Sequence, residues 1–480
     1  MEKKNTWETY DEATLAKVDA FCDGYRQFLD NGKTERECID VIVNTIEDAG
    51  YISMEQAIKS GKQLVEGDKV YQVWMNKSIA MYRIGKEPLA SGMNILGAHI
   101  DSPRLDVKQN PLYEDGGFAY LDTHYYGGVK KYQWVTIPLA LHGVIVKKDG
   151  STVIVNIGEE EEDPVFFISD LLIHLSQEQL QLKAGEVIPG EALDIIVGNK
   201  PIRIGETEKE ENADGQNQEE KKEPVKEAVK KGILDILKEM YDVEGEDFLS
   251  AELEVVPAGK AREAGLDRSM ILAYGQDDRV CAYTSMMAML NVEPTDRTVC
   301  CILVDKEEIG SVGATGMQSR FFENSLAELM NLAGEYSELN LRRCLSHSCM
   351  LSSDVSSAFD PSFAGSFDKK NVAYLGGGMV FNKFTGARGK SGSNDSNAEY
   401  LAHLRDIFAK ESINFQTAEL GRVDLGGGGT IAYILALYGM NVIDSGVAVM
   451  NMHAPWEATS KADVYETYRG YMAFVKNANL

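Results

Sequence analysis

Three things are scarce in this chain, and each scarcity removes a class of function. No apolar run reaches the roughly 18 residues that a membrane-spanning helix requires, and residues 1–12 are polar and charged with no apolar core. Neither a membrane protein nor a secretory leader is therefore expected. Basic residues are few: 48 Lys and Arg stand against 75 Asp and Glu, a formal charge of -27. Such a surface repels phosphate backbones and anionic lipid, which argues against nucleic acid and membrane partners. Cysteine is sparse and odd in number, seven in 480 residues, with Cys300 and Cys301 adjacent inside an apolar run. Neighbours on a strand point to opposite faces, so that pair reads as buried thiols rather than a disulfide, and a reducing cytoplasm is the expected compartment.

What is present is the composition of an ordinary soluble globular protein, in a chain too long for one simple core. Ala13, Leu15, Val18, Phe21, Tyr25, Phe28 and Leu29 recur at helical spacing, and residues 93–100 read as a buried strand. From about position 105 the character changes. Val144-Ile145-Val146 and Thr152-Val153-Ile154-Val155 flank Lys147-Lys148-Asp149-Gly150, which predicts a hairpin. Residues 205–222 hold too few apolar side chains to offset their ordering entropy and are expected to form a mobile loop. A helix follows, with Val225, Val229, Ile233, Leu237 and Met240 on one face. Beyond 247, apolar β-like runs alternate with helical ones. The expected organisation is an α/β domain built from 1–104 and 247–480, interrupted by a β-rich insertion at 105–246.

Five apolar runs of the α/β segments end in acids or histidine. Asn94 to Ala98 leads into His99-Ile100-Asp101; Ser269 to Tyr274 into Gly275-Gln276-Asp277-Asp278; Val299 to Val304 into Asp305-Lys306-Glu307-Glu308. Cys349-Met350-Leu351 leads into Ser352-Ser353-Asp354, and Ser445 to Met450 into Asn451-Met452-His453. In open α/β sheets the carboxyl ends of strands converge on one crevice, so these ends are expected to meet. Singly, each has a plainer reading: a core histidine, helix-capping aspartates, a solvated turn. Together, two imidazoles and three carboxylates without cysteine make an open, catalytic donor set for zinc, with cobalt or manganese as alternatives. An odd carboxylate suits a bridge between two ions roughly 3.5–4 Å apart. Adjacent Glu307 and Glu308 can divide metal binding from proton transfer, and Asp101 is placed to fix the His99 tautomer.

Gly97-Ala98-His99-Ile100-Asp101-Ser102-Pro103, Gln276-Asp277-Asp278-Arg279-Val280, Glu307-Glu308-Ile309-Gly310-Ser311, Ser353-Asp354 and Met452-His453 occur in the order of the aspartyl aminopeptidase and aminopeptidase I family, which the chain resembles. Tyr126-Gly127-Gly128 to Trp134 belongs to the same pattern. The resemblance implies a three-layer α/β/α, phosphorylase/hydrolase-like zinc exopeptidase domain with two divalent ions, an inserted dimerisation domain, and homo-oligomers that build a tetrahedral dodecamer. It implies one ion on His99 and Asp354, the other on Glu308 and His453, a bridge at Asp277, and Glu307 as base. Asp101 would orient His99, and Asp278 would sit behind the ligands. His174, within Leu172-Ile173-His174-Leu175, would reach a neighbouring subunit's active site. Three departures point to a divergent aminopeptidase I branch and weigh against acidic preference, leaving the preferred residue open: Trp134-Val135-Thr136-Ile137-Pro138 replaces an Asp-Arg-Asp pattern, Ile100 replaces a small hydroxyl residue, and Val355-Ser356-Ser357-Ala358 lacks a histidine.

Gly426 to Gly429, before Thr430, lacks the lysine of a nucleotide loop, so Gly427 and Gly428 are read as substrate-contacting backbone. The expected activity is metal-dependent hydrolysis of the amino-terminal peptide bond of peptides. The alternatives are another binuclear hydrolase, such as a deacylase or carboxypeptidase, and a catalytically silent assembly protein of the same fold.

Overall fold

A computed structural model describes residues 5–202 and 226–480. The stretch expected to be a mobile loop, 205–222, lies outside the described residues. The chain divides into two compact units: one comprises residues 1–103, 127–129 and 259–480, the other 104–126 and 130–258.

The first unit is built on a nine-stranded mixed sheet. Its centre is four parallel strands, in the spatial order Thr298–Val304, Met93–His99, Cys349–Ser353 and Asn441–Gly446. These are continuous apolar runs because both faces are covered, as parallel sheets require. Leu96, Cys301, Leu351 and Ile443 point into one core with the helices Glu12–Asn31, Gln276–Asn291 and Lys461–Asn477. Ile95, Cys300, Met350 and Val442 point into a second core with the helices Phe321–Leu332 and Glu338–His347. The first unit is thus an α/β/α sandwich, and Cys300 and Cys301 part to opposite sides of it; all seven cysteines of the chain are buried and unbridged.

The five runs expected to end in metal ligands do not all belong to that sheet. His99, Glu307, Glu308 and Asp354 follow three of its central parallel strands. Asp277 and His453 come from a separate five-stranded sheet, ordered Arg262–Ala264, Met270–Ala273, Glu457–Ser460, Ala448–Met450 and Ser356–Ser357. Periodicity cannot distinguish the two cases, since a short buried run reads alike in either sheet.

The second unit carries a six-stranded antiparallel sheet, in which the expected hairpin forms between Leu139–Val146 and Thr152–Ile157. The strand Ala251–Pro257, which in sequence reads as the opening of the α/β segment, pairs along its whole length with Leu139–Val146. The contact boundary of the second unit therefore falls at 258 rather than 246.

The strand Asn441–Gly446 bears directly on the site. A methyl group on Gly446 would stand 2.0 Å from the carbonyl oxygen of Asp354 and 2.9 Å from Cys281 Sγ. Gly446→Ala is accordingly expected to cost about 1–3 kcal/mol of stability through overpacking. Urea denaturation measures it, and an unchanged midpoint would show that the Asp354 backbone can retreat freely.

Candidate metal centre

The register of the parallel strands decides where the first donors emerge. Val304 lies opposite His99 and Ser352 opposite Gly97, so their carboxyl ends finish level. After Val304 the chain turns through Lys306, whose φ of 70° is left-handed, into the single turn Glu307–Ile309. Both amide groups at the head of that turn are captured: Glu307 N donates to Asp101 Oδ1 and Glu308 N to Asp101 Oδ2, each at 3.1 Å. His99 Nδ1 in turn lies 3.0 Å from the Asp101 carbonyl oxygen and 3.2 Å from its Oδ1. With that nitrogen donating, the lone pair of Nε2 is aimed at Asp277 Oδ1, 3.2 Å away, with Asp354 Oδ1 at 3.9 Å and Glu307 Oε2 at 4.0 Å.

The other imidazole repeats the pattern. His453 Nδ1 donates to the carbonyl of Gly128 at 3.0 Å. Its Nε2 then faces Asp277 Oδ2 at 3.2 Å and Glu308 Oε1 at 3.5 Å. Asp277 therefore presents one oxygen to each imidazole. Three donor triads arise with all atoms of each within 4.8 Å of one another: His99, Asp277 and Asp354; His99, Glu307 and Glu308; Asp277, Glu308 and His453.

Two imidazole lone pairs directed at carboxylate oxygens repel them unless a proton or a cation lies between. Asp277 Oδ1 and Glu308 Oε1 are buried and accept no hydrogen bond of good geometry. The protons' version of the solution shows in the pKa values. Burial opposes charge on both histidines, yet Asp101 and Asp277 raise His99 well above its ordinary value, and Asp277 and Glu308 lift His453 to about 10. Burial pushes Glu307 up to about 7, helped by Asp101 and Asp277, and pushes Glu308 and Asp354 up well beyond the usual carboxylate range. Asp277 alone is held low, because against its burial stand both imidazoles. A buried set that needs this many protons to balance its charge suits divalent cations, and imidazole with carboxylate is a donor mix for zinc.

These donors open on a cleft of about 650 Å³ lined by Val355, Asn382, Thr385, Leu420, Tyr433 and Met452 among others. Gly427 and Gly428 also line it. Gly427 has φ 121°, and a Cβ there would stand 2.1 Å from the Gly386 oxygen, so this position can present only backbone to the cleft. Asp278 is fully buried behind Asp277, with both carboxyl oxygens unpartnered among the described residues. Both residues have non-helical φ/ψ, so regular helix begins at Arg279. His174 lies in the second unit, exposed on the short turn Ile173–Leu175.

A family model for the aminopeptidase I zinc metalloproteases (M18) matches residues 28–475. The chain belongs to this family. It is 59% identical over 476 residues to a probable M18 family aminopeptidase 1 of Clostridium acetobutylicum, covering 99% of this chain and 98% of that protein. The crystal structure of an M18 aminopeptidase from Thermotoga maritima matches with a TM-score of 0.91 at 42% identity, covering 100% of both chains. The crystal structure of aminopeptidase I from C. acetobutylicum matches at 0.88 and 55% identity, covering 99% of this chain and 100% of that one. A yeast aminopeptidase 1 solved as a dodecamer shares the fold at 19% identity and a TM-score of 0.72, covering 96% of this chain and 97% of its own. The chain is thus an M18 aminopeptidase, a metal-dependent hydrolase of amino-terminal peptide bonds.

Several residues of this M18 site escape a reading of motifs. Ser102 Oγ donates to the Asp277 carbonyl at 2.6 Å. Glu457, completely buried, accepts from the amides of both Asp277 and His453. Thr430, on the cleft wall, donates to the buried Asp444 at 2.5 Å. The one available signal was an acid interrupting an apolar strand, as Asp444 does in Asn441–Gly446.

The pKa shifts set a pH dependence for the chelated protein. Burial raises Glu307 and Asp444 to about 7, and Glu457 and Asp463 to about 8. A group whose folded pKa lies above its unfolded value, near 4 for a carboxyl, contributes stability below that unfolded value. The contribution is lost as pH rises through the folded one. His453, raised to about 10, has the same sign. Asp277, depressed, changes only in acid. Metal-free protein is therefore expected to melt at a lower temperature at roughly pH 9 than at roughly pH 6. Calorimetry in the presence of a chelator measures this, and a rise over that interval would reverse the assignment.

Proposed function

We propose that this M18 aminopeptidase works with a pair of divalent ions, zinc first, one on His99 and Asp354, the other on Glu308 and His453, with Asp277 as the bridge. The observation that carries this reading is the pairing of two imidazoles, each locked through Nδ1, with the two oxygens of one carboxylate at 3.2 Å. When bound, the ions supply Lewis acidity toward the scissile carbonyl and toward water. Glu307 is the general base. Its side chain stands at the mouth of the donor cluster, and a pKa raised by burial to about 7 suits a group that takes a proton from water and returns it to the leaving amine. Asp101 holds both the His99 ring and the Glu307 amide, so base and ligand keep a fixed relation. Asp278, behind the bridge, supports it without contacting substrate.

The cleft suits the amino-terminal end of a peptide with a neutral side chain. Among the described residues no lysine or arginine lines it, and desolvating an acidic side chain without a cationic partner is costly. The backbone of Gly427 and Gly428 meets the substrate main chain.

The second unit serves as the dimerisation domain of a homo-oligomer, a tetrahedral dodecamer in this reading, which the dodecamer of the yeast protein supports in subunit number alone. Ile173 and Leu175, each 67% exposed on either side of His174, support a surface made to be covered. His174 would there complete a neighbouring subunit's site. A cytoplasmic location accords with seven free, buried thiols. No helix among the described residues is long and apolar enough to cross a membrane.

Glu307→Gln is expected to leave the metal content unchanged and to cut kcat by about 10²–10⁴-fold. Asp277→Ala is expected to lose both ions. Metal analysis of the two purified variants beside an aminopeptidase assay tests the pair of assignments, and full turnover in Glu307→Gln would remove that residue from its role. On a panel of aminoacyl anilides, kcat/KM is expected to be higher for leucyl than for aspartyl substrate; the opposite order would overturn the reading of the cleft.

A further inference from the structure

Besides Asp278, two buried carboxylates, Asp101 and Glu457, hold the backbone of the donor cluster, and of these two only Asp101 has been given a role so far. Asp101 ties together the first half of the site, receiving the amides of Glu307 and Glu308 and the Nδ1 of His99. Glu457 stands in the same relation to the other half. Its Oε2 accepts from the Asp277 amide at 3.0 Å and its Oε1 from the His453 amide at 2.7 Å. The side chain is 1% exposed, and its place is fixed by its own strand, where Glu457 pairs with Ala273. Its carbonyl accepts from Gln276 Nε2 at 2.6 Å, and Gln276 is held in turn by the Tyr25 hydroxyl at 3.2 Å.

The backbone at His453 shows why such a hold is needed. Its φ is 65° and that of Asn451 is 59°, left-handed values that non-glycine residues adopt only at a cost. The loop between the strands Ala448–Met450 and Glu457–Ser460 is thus bent against its preference, and the Glu457 carboxylate is what its amide meets. One oxygen fixes the bridging residue and the other fixes the terminal histidine, so one rigid group sets the distance between them.

We propose that Glu457 is a positioning residue that sets the spacing of Asp277 and His453 and thereby the retention of the ion they share with Glu308. This rests on the two-ion reading above. Glutamine at 457 keeps the size but replaces one acceptor with a donor facing an amide. Aspartate keeps both acceptors but is too short to span both amides.

The test strips purified wild type and Glu457→Gln with chelator and titrates both with zinc, following bound metal per chain, the metal-induced rise in melting temperature, and kcat and KM. In the variant, the zinc affinity of the site on Asp277, Glu308 and His453 is expected to fall by about 10–100-fold, as for other groups that orient ligands. The metal-induced rise in melting temperature is expected to shrink. kcat is expected to fall with KM little changed, and excess zinc to restore it in part. A merely structural role would lower the metal-free melting temperature and leave the zinc affinity alone, and a folded variant with wild-type affinity overturns the proposal. If Glu457→Gln does not fold, Glu457→Asp is measured in the same way. Wild-type stoichiometry tests the ion pair. The ratio of variant to wild-type affinity tests Glu457 whichever stoichiometry is found.

Discussion

One carboxylate facing two imidazoles governs this structure. Asp277 is 3% exposed and presents an oxygen to His99 on one side and to His453 on the other. Around it crowd Glu307, Glu308, Asp354 and Asp101, with Asp278 and Glu457 behind. Burying so many acids near so few bases is unfavourable unless protons or cations supply the missing positive charge. The two imidazoles cannot do so and also offer lone pairs. A site built in this way is stable with metal and poorly balanced without it, and the surrounding fold has to hold the imbalance in place.

Two sheets of the first unit share that task. The central parallel strands bring His99, Glu307, Glu308 and Asp354 level through register, a constraint imposed by a ladder of backbone bonds and by cores on both faces. Asp277 and His453 enter from the five-stranded sheet, whose own ladder pairs Ala273 with Glu457. Each ion in the proposed assignment takes ligands from both sheets. In that assignment metal binding would clamp one sheet to the other, while the hydrogen bonds of Asp101 and Glu457 keep each half of the site in order by itself.

Much of this was legible in the amino-acid sequence because the donors sit at ends of apolar runs. His99, Asp277, Glu307, Glu308, Asp354 and His453 each follow a stretch that could only be a buried strand, and their order matches a family motif. The sandwich was legible for the same reason: runs such as Val299 to Val304 have no polar face. The division of strands between two sheets was not, since Met270–Ala273 and Ala448–Met450 look like any other short apolar run. Nor was the allegiance of Ala251–Pro257, which lies next to α/β sequence yet hydrogen-bonds with the insertion. Pairing partners are a property of the folded chain, and only long alternation would have betrayed an antiparallel sheet.

Residues that act through backbone amides are the hardest to read. Asp101 stands two positions from His99 and announces itself by proximity. Glu457 performs the corresponding service four positions beyond His453, after left-handed residues at Asn451 and His453, and nothing in Ala454-Pro455-Trp456 announces it. A carboxylate that binds two main-chain amides has no side-chain partner to pair with in sequence, so motif and spacing both pass it by. Its importance follows from accounting for donors: the amides of Asp277 and His453 are withdrawn from water by folding, and each must find an acceptor. The same carboxylate supplies both. The geometry of a metal shell thus depends on groups that never touch the metal, and these are found by asking where each buried amide of the ligand residues goes.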